Sequence, residues 1–368
     1  MHKNKKNPHI FVKSIAVNPF FFRLFRDNEV KVHELNYLFW ECTTRCNFHC
    51  RHCGSDCGMA AREKDMPLED FLAAVDTIPL KHRPKEFCVV LTGGEPLLRP
   101  DILTIGEELR RRNILWGIVS NGWLYDDALH LKLMDAGMGA LTISLDGLEA
   151  SHDWMRGVPG SYRHALKAIE TFARDPRLNA DVVTCVNRRN LTELPEIYRI
   201  LSATGLRQWR LFTIIPIGRA AHDPDMQLSD GEFVRLMEFI REKREQGGPM
   251  TVTFSCEGYL GRYEERVRPV RHFCRAGVNI ASILIDGRIC GCPNIDRDRF
   301  SQGNIYQDRL WDVWQNCFQP FRNHTRTGRC AGCKEWKNCL GGGMHNWHGP
   351  SGEVLQCHYA KTLLTQTI

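Results

Sequence analysis

Three cysteines, Cys46, Cys50 and Cys53, lie close together with the spacing C-x3-C-x2-C. They follow a short apolar run that is typical of a buried strand. Three thiolates on one loop can bind three irons of a 4Fe–4S cluster, which leaves the fourth iron open to a small molecule. A structural zinc site is the alternative, with Cys42 or Cys57 as fourth ligand, but zinc needs a closed tetrahedron. The spacing therefore favours iron over zinc.

Three further motifs each follow an apolar, strand-like run. They are Thr92-Gly93-Gly94-Glu95-Pro96, Ser120-Asn121-Gly122 and Ser144-Leu145-Asp146-Gly147. Glycines allow a backbone to approach a ligand closely, and the carboxylate of Glu95 can pair with an ammonium group. Ser144 and Asp146 offer a hydroxyl and a carboxylate, which suit ribose hydroxyls or a bound carboxylate. Ordinary strand-to-helix turns and Asx turns use the same residue types, so each motif alone is weak evidence.

The order of these four motifs along the chain resembles the radical SAM superfamily. The resemblance implies that Cys46, Cys50 and Cys53 bind a 4Fe–4S cluster whose open iron binds S-adenosylmethionine (SAM). It also implies that one electron from the reduced cluster cleaves SAM to a 5′-deoxyadenosyl radical, which abstracts hydrogen from an unactivated carbon. In such an enzyme the cofactors supply the chemistry, and the protein positions and shields them.

The same resemblance implies which residues contact SAM. They are Gly93, Gly94, Glu95, Pro96, Ser120, Asn121, Ser144, Asp146, Arg156 and His52. The loop around Glu95 is implied to bind the amino group, and an arginine fork at Arg156 would bind the carboxylate. His52 takes a position that is commonly aromatic in the family and is implied to pack on adenine. The loop 216–220 resembles a family segment near the adenosine. No residue is assigned as a general base or hydrogen donor.

A second cysteine set lies towards the C-terminus. It reads Cys274-x12-Gly287-x4-Cys292, with an extra Cys290, and then Cys330-x2-Cys333-x5-Cys339-x17-Cys357. This pattern resembles a SPASM domain, which implies one or two auxiliary 4Fe–4S clusters. The last four cysteines would complete the second of these clusters. A closed four-thiolate zinc site is the alternative for the same four residues.

The first auxiliary site departs from the family pattern. Related sequences usually have a cysteine four residues after the one that matches Cys339, where this chain has Gly343. Cys274, Cys290 and Cys292 are thus left without a fourth ligand. The sequence leaves three outcomes open: an open iron, ligation by His345 or Cys317, or loss of the cluster.

The elements that would position these motifs alternate between strand and helix. Strands are predicted at 37–40, 87–92, 115–119, 140–144, 181–186 and 209–214, and helices open near 67 and span 101–112, 125–136, 162–174 and 194–203. Alternating units predict a parallel sheet with helical cover. The family resemblance implies a partial (β/α)6 TIM-type barrel of the α/β class, followed by a small cysteine-rich SPASM domain. Sites in such folds lie at the carboxyl ends of the strands, where all four motifs fall.

Three regions are predicted: an N-terminal arm at 1–35, the barrel at 36–248 and the SPASM domain at 249–368. A helix capped by Ser229 or Asp230 and stopped at Gly247 leads to the boundary. The arm has a basic start (Lys3, Lys5 and Lys6) and then an apolar, aromatic stretch. Because Pro19 would break a long amphipathic helix, we expect the arm to pack on the barrel. Contact with a membrane or a partner is the alternative.

Composition restricts the class of protein. A chain of 368 residues with 43% apolar and 25% charged residues is typical of a soluble protein with two domains. The net charge of +6 does not indicate nucleic-acid binding. No signal peptide and no run of transmembrane length is visible. The many cysteines, sixteen in all, therefore indicate metal ligands in a reducing cytoplasm rather than disulfides. Five of them, Cys42, Cys57, Cys88, Cys185 and Cys256, match no motif and are expected to be buried thiols.

The sequence thus predicts a radical SAM enzyme that modifies a peptide or small protein by crosslinking, epimerisation or oxidation. A reductant such as flavodoxin or ferredoxin is the expected electron donor. Formylglycine formation of the sulfatase-maturase kind is one alternative, and a small-molecule or haem-pathway reaction is another. A metal-binding scaffold without catalysis is disfavoured, because the cysteine trio, Glu95 and Asp146 are all present.

Overall fold

The computed structural model describes residues 18–60, 63–255, 257–348 and 353–363. The basic start of the arm and Cys256 lie outside the described residues. The strands are β1 (Tyr37–Thr43), β2 (Cys88–Gly93), β3 (Leu115–Ser120), β4 (Met138–Ser144), β5 (Asn179–Val186), β6 (Gln208–Thr213), β7 (Thr251–Phe254), β8 (Ile280–Ile283), β9 (Arg288–Cys290), β10 (Gly303–Asn304), β11 (Trp347–His348) and β12 (Glu353–Val354).

The first ten strands form one open sheet in the order β10-β9-β8-β1-β2-β3-β4-β5-β6-β7. Strand β8 is parallel to β1, and each strand from β1 to β6 is parallel to the next one in the sheet. Strand β9 is antiparallel to both of its neighbours, β8 and β10. The predicted α/β class and partial barrel are therefore confirmed. The six predicted strands correspond to β1 to β6, and β7 and β8 extend the parallel sheet at its two sides.

The helices are α1 (Pro19–Val32), α2 (Leu68–Asp76), α3 (Ile102–Arg111), α4 (Asp127–Asp135), α5 (Glu149–Arg156), α6 (Ser161–Phe172), α7 (Leu194–Ala203), α8 (Asp230–Gln246), α9 (Glu264–Val267), α10 (Arg297–Phe300), α11 (Leu310–Asn316), α12 (Gln319–Arg322), α13 (Trp336–Cys339) and α14 (His358–Lys361). The predicted helices correspond to α2, α3, α4, α6, α7 and α8. Ser229 and Glu232 form a capping box at the start of α8, which confirms the predicted start of that helix. Helix α5 was not predicted.

Large side chains fill the space between the sheet and its helices. The ring of Trp40 in β1 stacks on Phe71 of α2, with centroids 4.0 Å apart. Trp116 in β3 and Trp209 in β6 are fully buried, and each indole N–H donates a hydrogen bond, to Ala136 O and Thr184 Oγ1 respectively. Buried tryptophans with satisfied N–H groups fix how the helices pack on the strands.

The N-terminal arm differs from the expectation. Pro19 occupies the first turn of α1, after an Asn18 cap, where a proline starts a helix rather than interrupting it. Phe22 packs against Phe273 and Val278, and the Arg26 guanidinium donates to Lys337 O at 2.9 Å. Among the described residues of the arm, these contacts place the helix against the cysteine-rich C-terminal region.

The sheet continues across residue 248, where we place the domain boundary. Strand β7 follows that residue and pairs with β6, while β8 pairs with β1 on the other side of the barrel strands. The boundary itself stays a prediction. Within the described residues, no helix combines the length and apolar character needed to cross a membrane.

Candidate active site and cluster sites

The four motifs meet at one end of the sheet. The cysteine loop follows β1, the Glu95 loop follows β2, Ser120 ends β3 and Ser144 ends β4. Because these strands are parallel and adjacent, their carboxyl ends lie side by side. Sequence reasoning predicted this edge from motif order alone.

The cysteine loop is held at both ends by backbone hydrogen bonds. Cys46 N–H donates to Gly58 O at 2.9 Å, and Arg51 N–H donates to Met155 O of α5 at the same distance. Phe48 N–H donates to the Cys46 thiol at 3.4 Å. Cys50 is buried, and Cys46 and Cys53 are partly exposed. Three thiols on one anchored loop fit the three-thiolate binding of a 4Fe–4S cluster.

Arg219 fastens this loop from the opposite side. Its guanidinium donates to Cys50 O at 2.6 Å, to Cys57 O at 3.1 Å and to the Asp56 carboxylate at 2.7 Å. The preceding Gly218 has φ +54°, and a Cβ there would lie 2.5 Å from Cys53 O. The sequence placed this segment near the adenosine. Its contact with the cluster loop was missed, although the glycine of this segment is the residue type that allows such a close approach.

The environment of the thiols favours protonated sulfur at Cys46 and Cys50. Burial raises the pKa of Cys46 to about 12, and it also raises the pKa of Cys50 although the Arg156 guanidinium opposes the effect. A hydrogen bond from the Cys57 thiol lowers the pKa of Cys53 to about 5. Because iron binds thiolates, loading of the cluster must release protons from Cys46 and Cys50.

Glu95 lies at the centre of a buried network. Its carboxylate accepts hydrogen bonds from Ser120 Oγ at 2.8 Å, Asn121 N–H at 2.8 Å and Leu97 N–H at 3.2 Å. Burial raises the pKa of Glu95 to about 6 despite these bonds. Glu95 thus joins the second and third motifs, and a role towards the amino group of SAM stays a prediction.

The two glycines before Glu95 have a packing role that the structure makes explicit. A Cβ on Gly93, which has φ +131°, would lie 2.1 Å from Thr43 O. One on Gly94 would lie 2.0 Å from Arg45 O. Both glycines therefore allow the loop after β2 to press against the backbone that leads into the cysteine loop.

Asp146 and Arg156 form a buried ion pair beside the cysteine loop. The Arg156 guanidinium pairs with the Asp146 carboxylate, and its Nη1 lies 3.7 Å from Cys50 Sγ. Asp146 also accepts a bond from Cys185 N–H at 2.7 Å. Burial alone would raise the pKa of Asp146, but Arg156 and neighbouring histidines hold it below its ordinary value. The pair connects the fourth motif to a predicted cluster ligand.

His52 is partly buried in the same region. Burial and the charge of Arg156 lower its pKa to about 4, so the ring is neutral near pH 7. Its Nδ1 has no hydrogen-bond partner among the described residues. A neutral, uncommitted imidazole is compatible with the predicted contact with adenine, which the structure leaves as a prediction.

The four cysteines of the second auxiliary set line one cavity of about 280 Å³. They are Cys330, Cys333, Cys339 and Cys357. Trp336 and Tyr359 line the same cavity. Burial raises the pKa of Cys339 to about 12, and the nearby Cys357 adds to the effect. Four thiols around one cavity fit a fully ligated 4Fe–4S cluster.

The first auxiliary set has different surroundings. Cys274 Sγ accepts a hydrogen bond from Met344 N–H at 3.3 Å and is partly buried, as is Cys292. Cys290 is fully buried at the end of β9. Burial raises its pKa to about 12, and the charge of Arg297 opposes this effect. The ligand roles of these three cysteines stay predictions.

Comparison with known proteins agrees with both halves of the chain. The family model of the radical SAM superfamily matches residues 40–201, and that of the SPASM iron–sulfur cluster-binding domain matches residues 274–334.

Two curated relatives and one solved structure extend over most of the chain. An AdoMet-dependent heme synthase of Nitratidesulfovibrio vulgaris is 26% identical over 83% of this chain and 86% of its own length. The mycofactocin maturase MftC of Mycobacterium ulcerans is 27% identical over 83% of this chain and 82% of its own length. Streptococcus suis SuiB bound to the precursor peptide SuiA matches with a TM-score of 0.71 at 15% identity, over 98% of this chain and 82% of SuiB.

Proposed function

We propose that this chain, which belongs to the radical SAM superfamily and carries a C-terminal SPASM domain, modifies a peptide or small protein by hydrogen abstraction. Membership implies a SAM-binding 4Fe–4S cluster and auxiliary clusters. When bound and reduced, the first cluster supplies the electron that cleaves SAM to a 5′-deoxyadenosyl radical. The observation that carries the proposal is the meeting of the cysteine loop, the Glu95 network and the Asp146–Arg156 pair at one end of the sheet.

The residues of the chain would position and shield these reactants. Cys46, Cys50 and Cys53 would hold the SAM cluster, and Cys330, Cys333, Cys339 and Cys357 an auxiliary cluster. Arg219 and Arg156 keep the cysteine loop in place through Cys50. The buried carboxylates of Glu95 and Asp146 fix the loops that would surround SAM. The substrate carbon would approach the adenosine from the open side of the barrel.

Two observations support a peptide as substrate. The relative MftC is a maturase, and it is 27% identical to this chain, whereas the heme synthase is 26% identical. SuiB, with a precursor peptide bound, has the same fold over nearly the whole chain. The second candidate is a tetrapyrrole reaction, which the heme synthase relative and an Fe-coproporphyrin III synthase of Methanosarcina barkeri favour.

Deuterium transfer would decide between the two candidates. The reconstituted enzyme would be mixed with dithionite, SAM and either deuterated peptides encoded beside its gene or deuterated Fe-coproporphyrin III. We expect deuterium in 5′-deoxyadenosine and a mass change in a peptide. Transfer from the porphyrin alone would overturn the peptide proposal. Cleavage of SAM without transfer from either substrate would overturn the peptide proposal, exclude Fe-coproporphyrin III as the substrate, and leave the family chemistry intact.

A further inference from the structure

The backbone conformation at residue 343 does not require a glycine. Its φ of −73° and ψ of 139° are extended values that any residue adopts. A Cβ at this position would nevertheless lie 2.4 Å from Cε1 and 2.8 Å from Nδ1 of His345. The imidazole of His345 therefore occupies the space that a side chain at residue 343 would take.

This imidazole lies in the neighbourhood of a predicted cluster ligand. Met344, between Gly343 and His345, donates its N–H to Cys274 Sγ at 3.3 Å. Gly343 N–H donates to Glu257 O at 2.8 Å, which fixes the segment against the chain that follows β7. Gly343 and His345 therefore both flank, in the chain, the residue whose backbone N–H contacts the Cys274 thiol.

The His345 ring is also uncommitted. Among the described residues, no hydrogen bond to either of its nitrogens is found, although the residue is partly buried. His358, which lies close by, contrasts with it because its Nε2 lies 2.9 Å from the Glu257 carboxylate and 3.2 Å from Thr213 Oγ1. A ring nitrogen that makes no other hydrogen bond is able to bind a metal.

We propose that His345 is the fourth protein ligand of the first auxiliary cluster, in place of the cysteine that is usual at residue 343. The cluster would then have mixed imidazole and thiolate ligation, with Cys274 as its neighbouring thiolate. A neutral imidazole carries one negative charge fewer than the thiolate that it replaces. This difference raises the reduction potential of an iron–sulfur cluster. The inference rests on the auxiliary cluster of the SPASM domain and not on the identity of the substrate.

Two other side chains were candidates for this position. Cys317 is exposed at the C-terminal cap of α11. His272 is the stronger competitor, since it lies two residues before Cys274 and its buried Nε2 has no partner among the described residues. Only His345 fills the volume of the absent side chain, so His272 serves as the matched control.

Nitrogen hyperfine spectroscopy tests the proposal directly. The full chain would be reconstituted without SAM, reduced, and studied by pulsed EPR with and without selective ¹⁵N labelling of histidine. We expect a histidine nitrogen coupling in the wild type and in His272→Ala, and its loss in His345→Ala. The double variant Gly343→Cys/His345→Ala should keep the iron content of the wild type, without the nitrogen coupling, because a thiolate replaces the ring.

Several results would overturn the proposal. These are the absence of a histidine coupling in the wild type, its persistence in His345→Ala, or its loss in His272→Ala alone. A wild-type content of about eight irons per chain rather than about twelve would mean that the first cluster is absent. Unfolding of His345→Ala would not obscure the answer, because the labelled wild type and the double variant report independently. No substrate is used, so the result is separate from the proposed peptide activity.

Discussion

The cysteine loop after β1 and the second auxiliary cavity both collect thiols, but they hold them in different ways. The cavity is lined by four cysteines from one small region, which enclose it together with Trp336 and Tyr359. The loop has three cysteines and depends on residues far away in the sequence, chiefly Arg156 and Arg219, to fix its shape. The predicted site of the open cluster is thus held by distant residues, whereas the predicted closed site is built from residues that are close in sequence.

Removal of each thiol set would test this comparison most strongly. We expect Cys46→Ala/Cys50→Ala/Cys53→Ala to lose about four irons per chain and all formation of 5′-deoxyadenosine. Cys330→Ala/Cys333→Ala/Cys339→Ala should also lose about four irons but retain SAM cleavage without substrate. Iron and sulfide counts with a chromatographic assay would measure both. Zinc with little iron in the wild type would contradict the radical SAM assignment.

Loss of the Arg156 charge would test how much the buried ion pair with Asp146 stabilises the protein. Arg156→Gln leaves Asp146 buried and unpaired, so we expect the free energy of unfolding of the apo protein to fall by about 3–5 kcal/mol. The matched variant Asp146→Asn/Arg156→Gln removes both charges and should recover most of that loss. Urea denaturation would measure both variants. Equal stability of the single and double variants would show that the pair is not coupled.

Arg219 supports the loop through backbone contacts and should have a smaller effect. Arg219→Ala removes charge-assisted hydrogen bonds to Cys50 O and Cys57 O, and we expect a cost of about 2–3 kcal/mol in stability of the loop. The measurement is the rate at which a chelator removes iron from the cluster. Arg219→Lys keeps the charge without the planar fork, so it should release iron at an intermediate rate. Unchanged release in the alanine variant would refute the supporting role.

The pH dependence of stability should show the smallest effect. The pKa of Glu95 is raised to about 6 in the folded protein, so between its unfolded value and pH 6 the native state binds more protons. Stability of the apo protein should therefore fall as pH rises through this window, by about 2 kcal/mol. Glu95→Gln should lack this slope. The difference between the two unfolding profiles isolates Glu95, and parallel profiles would contradict the raised pKa.

The sequence predicted most of the barrel because its strands are continuous apolar runs and its helices have clear caps, as at Ser229. It missed α5 because that helix is polar, yet it buries His152 and Arg156 at the site. It also did not predict β8, since nothing local distinguishes a strand that pairs with β1 about 240 residues earlier. Motif order predicted which loops meet, but long-range contacts such as Arg219 with Cys50 O are set by tertiary packing.

The pairing of β8 with β1 has a consequence for how the molecule can be divided. A fragment that ended at residue 248 would lack both β7 and β8, and it would expose β1 and β6 as unpaired edges. The apolar segment Tyr37–Trp40 would then be an open template for intermolecular strand pairing. The C-terminal region is therefore a cover for the barrel as well as a carrier of clusters. Expression of the barrel alone should give aggregates, and the full chain should resist proteolysis between the two regions as a single cooperative unit.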